Sequence, residues 1–229
     1  VEKLMQLYYF NAEKLSIFNE TVFDIFEEKS FPKVKKDYGD FFIRNNKISF
    51  KEKNLKDNKH LIFKIFTKIG QRKDITNIDT DAAKILQENI SLIDKDFKKN
   101  DLYSKQFLEI LRSPYNLSSI LKKMKRLGII QAYISEFAEV VGQMQFDLFH
   151  VYTVDEHTFK VVRNMRQMKI NHLEDGFEIE NELINRLPKI EILYLAGLFH
   201  DLGKGKGGNH SEIGAKTSYK FSKKIGMSM

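Results

Sequence analysis

Apolar side chains recur at helical spacing through the first 28 residues, at Leu4, Tyr8, Leu15, Phe18, Val22, Ile25 and Phe26. That pattern predicts a long amphipathic helix. Ser30-Phe31-Pro32 breaks it, since proline removes a donor and fixes φ. Phe41-Phe42-Ile43-Arg44 and Lys47-Ile48-Ser49-Phe50 flank Asn45-Asn46 and read as a β-hairpin, because Asn tolerates positive φ in a tight turn. Helical patterns return over 57–69, 80–93 and 101–112. Ser113-Pro114 ends the last of these, Asn116 is placed to cap a helix running to Gly128, and another covers 129–140.

The character changes after Gly142. Thr153-Val154-Asp155-Glu156 has the form of a capping box, so a helix should start there. His157 then stands in line with Val161 and Met165 at four-residue steps and is expected to point into the core. Ile192, Leu193, Leu195, Ala196 and Phe199 predict a helix that is apolar nearly all round, hence buried. His200 and Asp201 follow at its end, before Gly203. The dipole of a helix C-terminus repels a carboxylate, and burying one unpaired is costly. A divalent cation would neutralise it. Asn209-His210-Ser211-Glu212 resembles a further helix start, with Ile213, Phe221 and Ile225 along one face. The expected fold is all-α: a helical array with one small hairpin, then a second helical part.

Composition narrows the chemistry. The 229 residues are 42% apolar, enough for a core. Cysteine is absent, which excludes disulfides, thiolate zinc sites and a cysteine nucleophile. Any metal must therefore be held by His, Asp or Glu. No apolar stretch reaches the roughly 18 residues of a membrane span. The N-terminus lacks a signal-peptide pattern. These features suggest a cytoplasmic protein with no membrane partner. The net charge of +7 is concentrated between Lys29 and Lys73, where 14 Lys+Arg face 4 Asp+Glu. Only seven of the 38 basic residues are Arg, so a lysine-rich solvated surface is favoured over nucleic-acid recognition. Val at position 1 and the stop at Met229, just past an amphipathic run, suggest a piece of a longer protein.

His157 and the His200-Asp201 pair supply two imidazoles and a carboxylate, a mixed set suited to Mn, Fe, Ni, Zn or, less ideally, Mg. His60 and His172 have no such company and are read as ordinary surface or core residues. Gly203-Lys204-Gly205-Lys206-Gly207-Gly208 offers backbone N–H groups and lysines to an anion. It is not a Walker A loop, because neither Gly-Lys is followed by Ser or Thr. Its formal G-x-G-x-x-G would need a preceding strand and an acidic residue about 20 positions on to make a dinucleotide site. The segment before it ends in His-Asp, which no nucleotide-binding strand requires.

His…His-Asp…Gly-Lys resembles the HD superfamily of metal-dependent phosphohydrolases. The strings at 142–150, 152–158 and 198–208 are similar to the bifunctional uridylyltransferase/uridylyl-removing enzymes of bacterial nitrogen control. The similarity is strongest over 108–215 and includes the string 107–114. It implies a helical linker domain at 1–140 and the N-terminal part of a truncated HD domain at 141–229. The nucleotidyltransferase and ACT domains, and a distal Asp completing the HD metal site, would lie elsewhere in the family protein.

By this resemblance the family uridylylates the PII signalling protein with UTP and hydrolyses UMP from PII-UMP; DNA is not a partner. The metal, Mg2+ or Mn2+, would be held by His157, His200 and Asp201. Lys204 would steady phosphoryl charge, and His210 would serve as a second-metal ligand or proton donor. His150 belongs to the motif without a derivable role, and Asn209 stands where the family usually has Asp. The piece alone is expected to be inactive. A general HD-type nucleotide phosphohydrolase and a non-catalytic helical docking module are the alternative readings.

Overall fold

The computed structural model describes residues 2–30, 35–144, 152–170, 176–204 and 210–227. Phe31-Pro32, His150, His172, residues 205–209 and the His210 side chain lie outside the described residues. The chain divides into two compact units, Leu7–Ala138 and Val1–Gln6 with Glu139–Met229. Each is mainly helical.

A long helix α1 (Glu2–Ser30), which belongs to the first unit from Leu7 onward, precedes strands β1 (Lys36–Tyr38), β2 (Phe41–Arg44) and β3 (Lys47–Phe50). Asn45 and Asn46 both take positive φ, as the hairpin turn requires. The sheet is larger than the hairpin read from sequence. β1 adds an antiparallel edge and β4 (Asn77–Ile78) pairs parallel to β3, giving the order β1-β2-β3-β4. Neither added strand carries an apolar alternation, so periodicity gave no sign of them.

The helices α2 (Leu61–Gln71), α3 (Thr80–Glu88), α4 (Lys95–Lys99), α5 (Asp101–Leu111), α6 (Leu117–Arg126) and α7 (Ile129–Tyr133) complete this unit. Phe63, Phe97, Phe107 and Tyr133 are fully buried and meet as tilted and edge-on pairs, with centroids 4.9–6.3 Å apart. Burying each such ring contributes about 1.5–3 kcal/mol. Asn116 precedes α6 but does not cap it. It sits in the left-handed region, and its Nδ2 donates to Ile75 O at 2.9 Å.

The apolar positions of α1 do not face a core. Leu15, Phe18, Val22 and Phe26 are all exposed, and the one buried residue of the helix is Glu28. Charge attaches the helix to its unit instead: Glu13 pairs with Lys125, Glu20 with Arg126, and Asp24, Glu27 and Glu28 with Lys47.

The second unit holds α8 (Val154–Ile170), α9 (Glu178–Arg186), α10 (Ile190–Phe199) and α11 (His210–Lys224). α10 packs against α8 and α11. Gly197 permits the first contact: a Cβ there would stand 3.1 Å from Met165 Sδ and 3.2 Å from Val162 Cγ2. With two sides covered, α10 keeps one open stripe, so it is not buried all round. Ile192, Ala196 and His200 lie along that stripe at four-residue steps, all exposed. The core face of α8 is Val154, Asp155, Thr158, Phe159 and Val162. His157 therefore borders the core with its side chain 38% exposed, rather than pointing into it.

Candidate metal centre

α8 begins at Val154, directly after Thr153, and His157 N donates to Thr153 O at 2.8 Å. This places the His157 ring beside the end of α10. There His200 is still helical, with its N donating to Ala196 O. Leu202 N then donates to Phe199 O and Lys204 N to Asp201 O. These turns fold Lys204 back over Asp201.

Three side chains meet at this corner. His157 Nε2 and His200 Nε2 are 3.2 Å apart. Asp201 Oδ2 is 3.2 Å from His200 Nε2 and 3.5 Å from His157 Nε2. The point equidistant from all three atoms lies about 1.9 Å from each, close to the roughly 2.0–2.2 Å of zinc bonds to His and carboxylate ligands. His200 Nδ1 lies 2.7 Å from Gly197 O and donates to that carbonyl. In the neutral ring this leaves the Nε2 lone pair facing the corner, the second-sphere device that orients metal-binding histidines. Two imidazole nitrogens and a carboxylate oxygen converging on one point are compatible with metal binding.

The same contacts set the charge states of the corner. Contact with Asp201 raises the His200 pKa, with burial opposing and the Gly197 carbonyl assisting. Burial pushes the Asp201 carboxyl up, but His200 and Lys204 pull the other way and prevail, leaving it well below the usual carboxylate range. Lys204 Nζ lies 2.9 Å from Asp201 Oδ2, and both side chains are only 9% exposed.

The corner opens onto a cavity of about 460 Å³ lined by Ala196, Phe199, His200, Asp201 and the α11 residues Ser211, Gly214, Ala215 and Ser218. Small side chains make this room. At Gly214 a Cβ would stand 3.1 Å from Phe199 O and 3.3 Å from His200 O, so glycine lets α11 lie directly on the backbone that carries the His-Asp pair. Sequence reasoning picked out His157, His200, Asp201 and Lys204 but missed Gly197 and Gly214. The signal for Gly197 was present, as a glycine inside an otherwise apolar helix normally marks a close approach.

Residues 41–133 match the family model "Uridylyltransferase GlnD third domain", and residues 154–227 match "HD domain". The chain is 35% identical over 231 residues to the bifunctional uridylyltransferase/uridylyl-removing enzyme of Ectopseudomonas mendocina, covering 98% of this chain and 26% of that protein. The enzyme of the same name from Azotobacter vinelandii is 35% identical over 227 residues, covering 96% and 25%. That from Pseudomonas putida is 40% identical over 160 residues, covering 70% and 18%. The chain thus spans about a quarter of the length of the first two relatives. No solved structure matches it. With third-domain and HD-domain segments in order along one chain, the protein belongs to the bifunctional uridylyltransferase/uridylyl-removing family.

Proposed function

We propose that the His157–His200–Asp201 corner is the hydrolytic centre of a uridylyl-removing activity, releasing UMP from a tyrosine of the PII signalling protein. Residues 141–229 would form the hydrolase part and residues 1–140 a helical linker. Uridylyl transfer from UTP would belong to a nucleotidyltransferase domain of the whole protein. The observation that carries this reading is the convergence of two Nε2 atoms and one carboxylate oxygen within 3.5 Å of one another, in a chain whose relatives are named for uridylyl removal.

His157 Nε2, His200 Nε2 and Asp201 Oδ2 would hold a divalent ion, proposed as Mg2+ or Mn2+. Such an ion supplies Lewis acidity toward a phosphoryl oxygen and lowers the pKa of water. The chain's own groups do the rest. The Gly197 carbonyl keeps His200 in the tautomer whose Nε2 faces the site. Lys204 balances Asp201 at 2.9 Å, and its ammonium would lie close enough to the site to steady the equatorial phosphoryl oxygens. The 460 Å³ cavity beside His200 gives room for the groups flanking the phosphorus. Water adds to phosphorus, the bond to the tyrosyl oxygen breaks, and His210 is assigned the proton delivered to that oxygen. The cytoplasm, where PII and UTP meet, is the proposed compartment.

The raised pKa of His200 sets a competition between proton and ion for Nε2. Metal affinity should therefore fall as pH drops through that pKa. The deciding experiment assays both activities in the full-length protein. His200→Ala with Asp201→Ala should abolish removal of UMP from PII-UMP and leave uridylyl transfer intact. Unchanged removal would place the hydrolytic centre elsewhere.

A further inference from the structure

The unit Leu7–Ala138 contains a second cavity, of about 620 Å³, bounded by α1, the end of β4, α3 and α6. Ligand sites typically occupy roughly 300–1,000 Å³. Four of the carboxylates that line it are held within the unit, and a fifth, Asp81, is exposed. Glu20 is paired with Arg126, and Asp24 lies 2.7 Å from Lys47 Nζ. Glu28 accepts from Lys47 Nζ and, at 2.6 Å, from Thr80 Oγ1. Asp79 accepts from Ser49 Oγ at 2.7 Å and Ala82 N at 2.8 Å.

Lys123 is different. It projects from α6 into the same cavity, half-buried, and among the described residues its ammonium makes no hydrogen bond or ion pair. Burial pulls its pKa down; Asp24 and Glu20 oppose this, while Arg126 and Lys47 reinforce it. None of these four forms an ion pair with its ammonium among the described residues. A buried ammonium without a partner is costly, and an anion brought beside it removes much of the cost.

We propose that this cavity binds a small molecule through one anionic group, a carboxylate or a phosphate, seated on Lys123. The apolar body of the ligand lies against Ile17, Ile78 and Leu127. The site is separate from the His157 corner and stands whether or not that corner hydrolyses anything.

The test labels lysines by reductive dimethylation with 13C-formaldehyde, which keeps their charge, and follows the methyl signals by NMR. Lys123→Arg assigns the Lys123 signal, and the exposed Lys122 serves as control. Inorganic phosphate and acetate are titrated separately against sodium chloride of equal ionic strength. The expected result is a saturable shift of the Lys123 signal with at least one of the two anions, while Lys122 stays put. Saturation with phosphate alone assigns a phosphate ligand, with acetate alone a carboxylate, and with both the shared anion chemistry. Lys123→Gln should also lose, by at least tenfold in apparent affinity, the thermal stabilisation that the bound anion gives. No shift beyond that of chloride, or parallel shifts at Lys122 and Lys123, would overturn the proposal.

Discussion

Two clusters of charged groups are built into this chain, and they are wired in opposite ways. Around Lys47 one buried cation is shared by Asp24, Glu27 and Glu28 at 2.7, 3.0 and 3.5 Å, and Glu28 also holds Thr80. Burial lowers the Lys47 pKa, yet the carboxylates outweigh it and the net shift is upward. Every strong acceptor there meets a donor from the same unit. At the His157 corner two imidazole nitrogens and a carboxylate oxygen face one another, and the one permanent cation among the described groups is Lys204. A closed network clamps α1 to the sheet. An open one, rich in lone pairs, is compatible with a bound cation.

Breaking each cluster should therefore give phenotypes that differ in ion binding. The largest effect is expected from His200→Ala with Asp201→Ala. Divalent-ion affinity should drop more than about 100-fold, beyond the usual 10–100-fold of second-sphere changes. Stability without metal should fall as well, because Asp201→Ala takes the carboxylate away from the buried Lys204 ammonium. Calorimetric ion binding and urea unfolding check the two halves.

Lys47→Met should cost stability alone. Removing the cation shared by Asp24, Glu27 and Glu28 should cost about 2–3 kcal/mol, below the usual loss for a broken buried pair. The loss is limited because Arg44 stays 3.8 Å from Glu28 and Glu27 is largely exposed. Urea unfolding of the Leu7–Ala138 unit reads this loss, while ion affinity at His157 should be unchanged.

How much of this was legible follows from what periodicity encodes. The hairpin, α5, α8 and α10 were readable because their apolar spacing, caps and turn residues all point one way. The His-Asp pair stood out because a carboxylate at the mouth of an apolar helix calls for a cation. The helix α1 was legible, but not which of its faces meets the unit: the ion pairs of Glu13, Glu20 and Asp24 hold the face opposite its apolar stripe. Long-range charge pairing leaves no periodic trace. Strands β1 and β4 are two or three residues each and owe their existence to a neighbouring strand. The inward placement of His157 failed by a fraction of a turn, and that offset is what keeps its ring accessible.

A third test sharpens the comparison by moving the support rather than the ligands. Gly214→Val drives a side chain against the carbonyls of Phe199 and His200. α11 must shift, and ion affinity should fall about tenfold with the Lys47 cluster untouched. Calorimetric ion titration of this variant measures it.

The smallest effect concerns Asp79, beside the closed cluster. Burial raises its pKa despite bonds from Ser49 and Ala82, with Glu28 and Asp81 adding to the rise. The folded state then holds the proton more tightly than the unfolded chain. Stability should fall as pH rises from the unfolded to the folded pKa, and the penalty persists above it. Asp79→Asn keeps both acceptor bonds and the helix cap. It should flatten this slope and stabilise the unit by about 0.5–1 kcal/mol at pH 7, as read from urea midpoints across pH 4–8.

The central claim is that His157, His200 and Asp201 hold a divalent ion, and Mn2+ binding followed by electron paramagnetic resonance tests it most directly. The account predicts one Mn2+ per chain, bound more weakly as pH falls and lost in both His157→Ala and the His200→Ala, Asp201→Ala double variant. Equal Mn2+ uptake by the wild-type chain and these variants, or no uptake at any pH between 6 and 9, would contradict it.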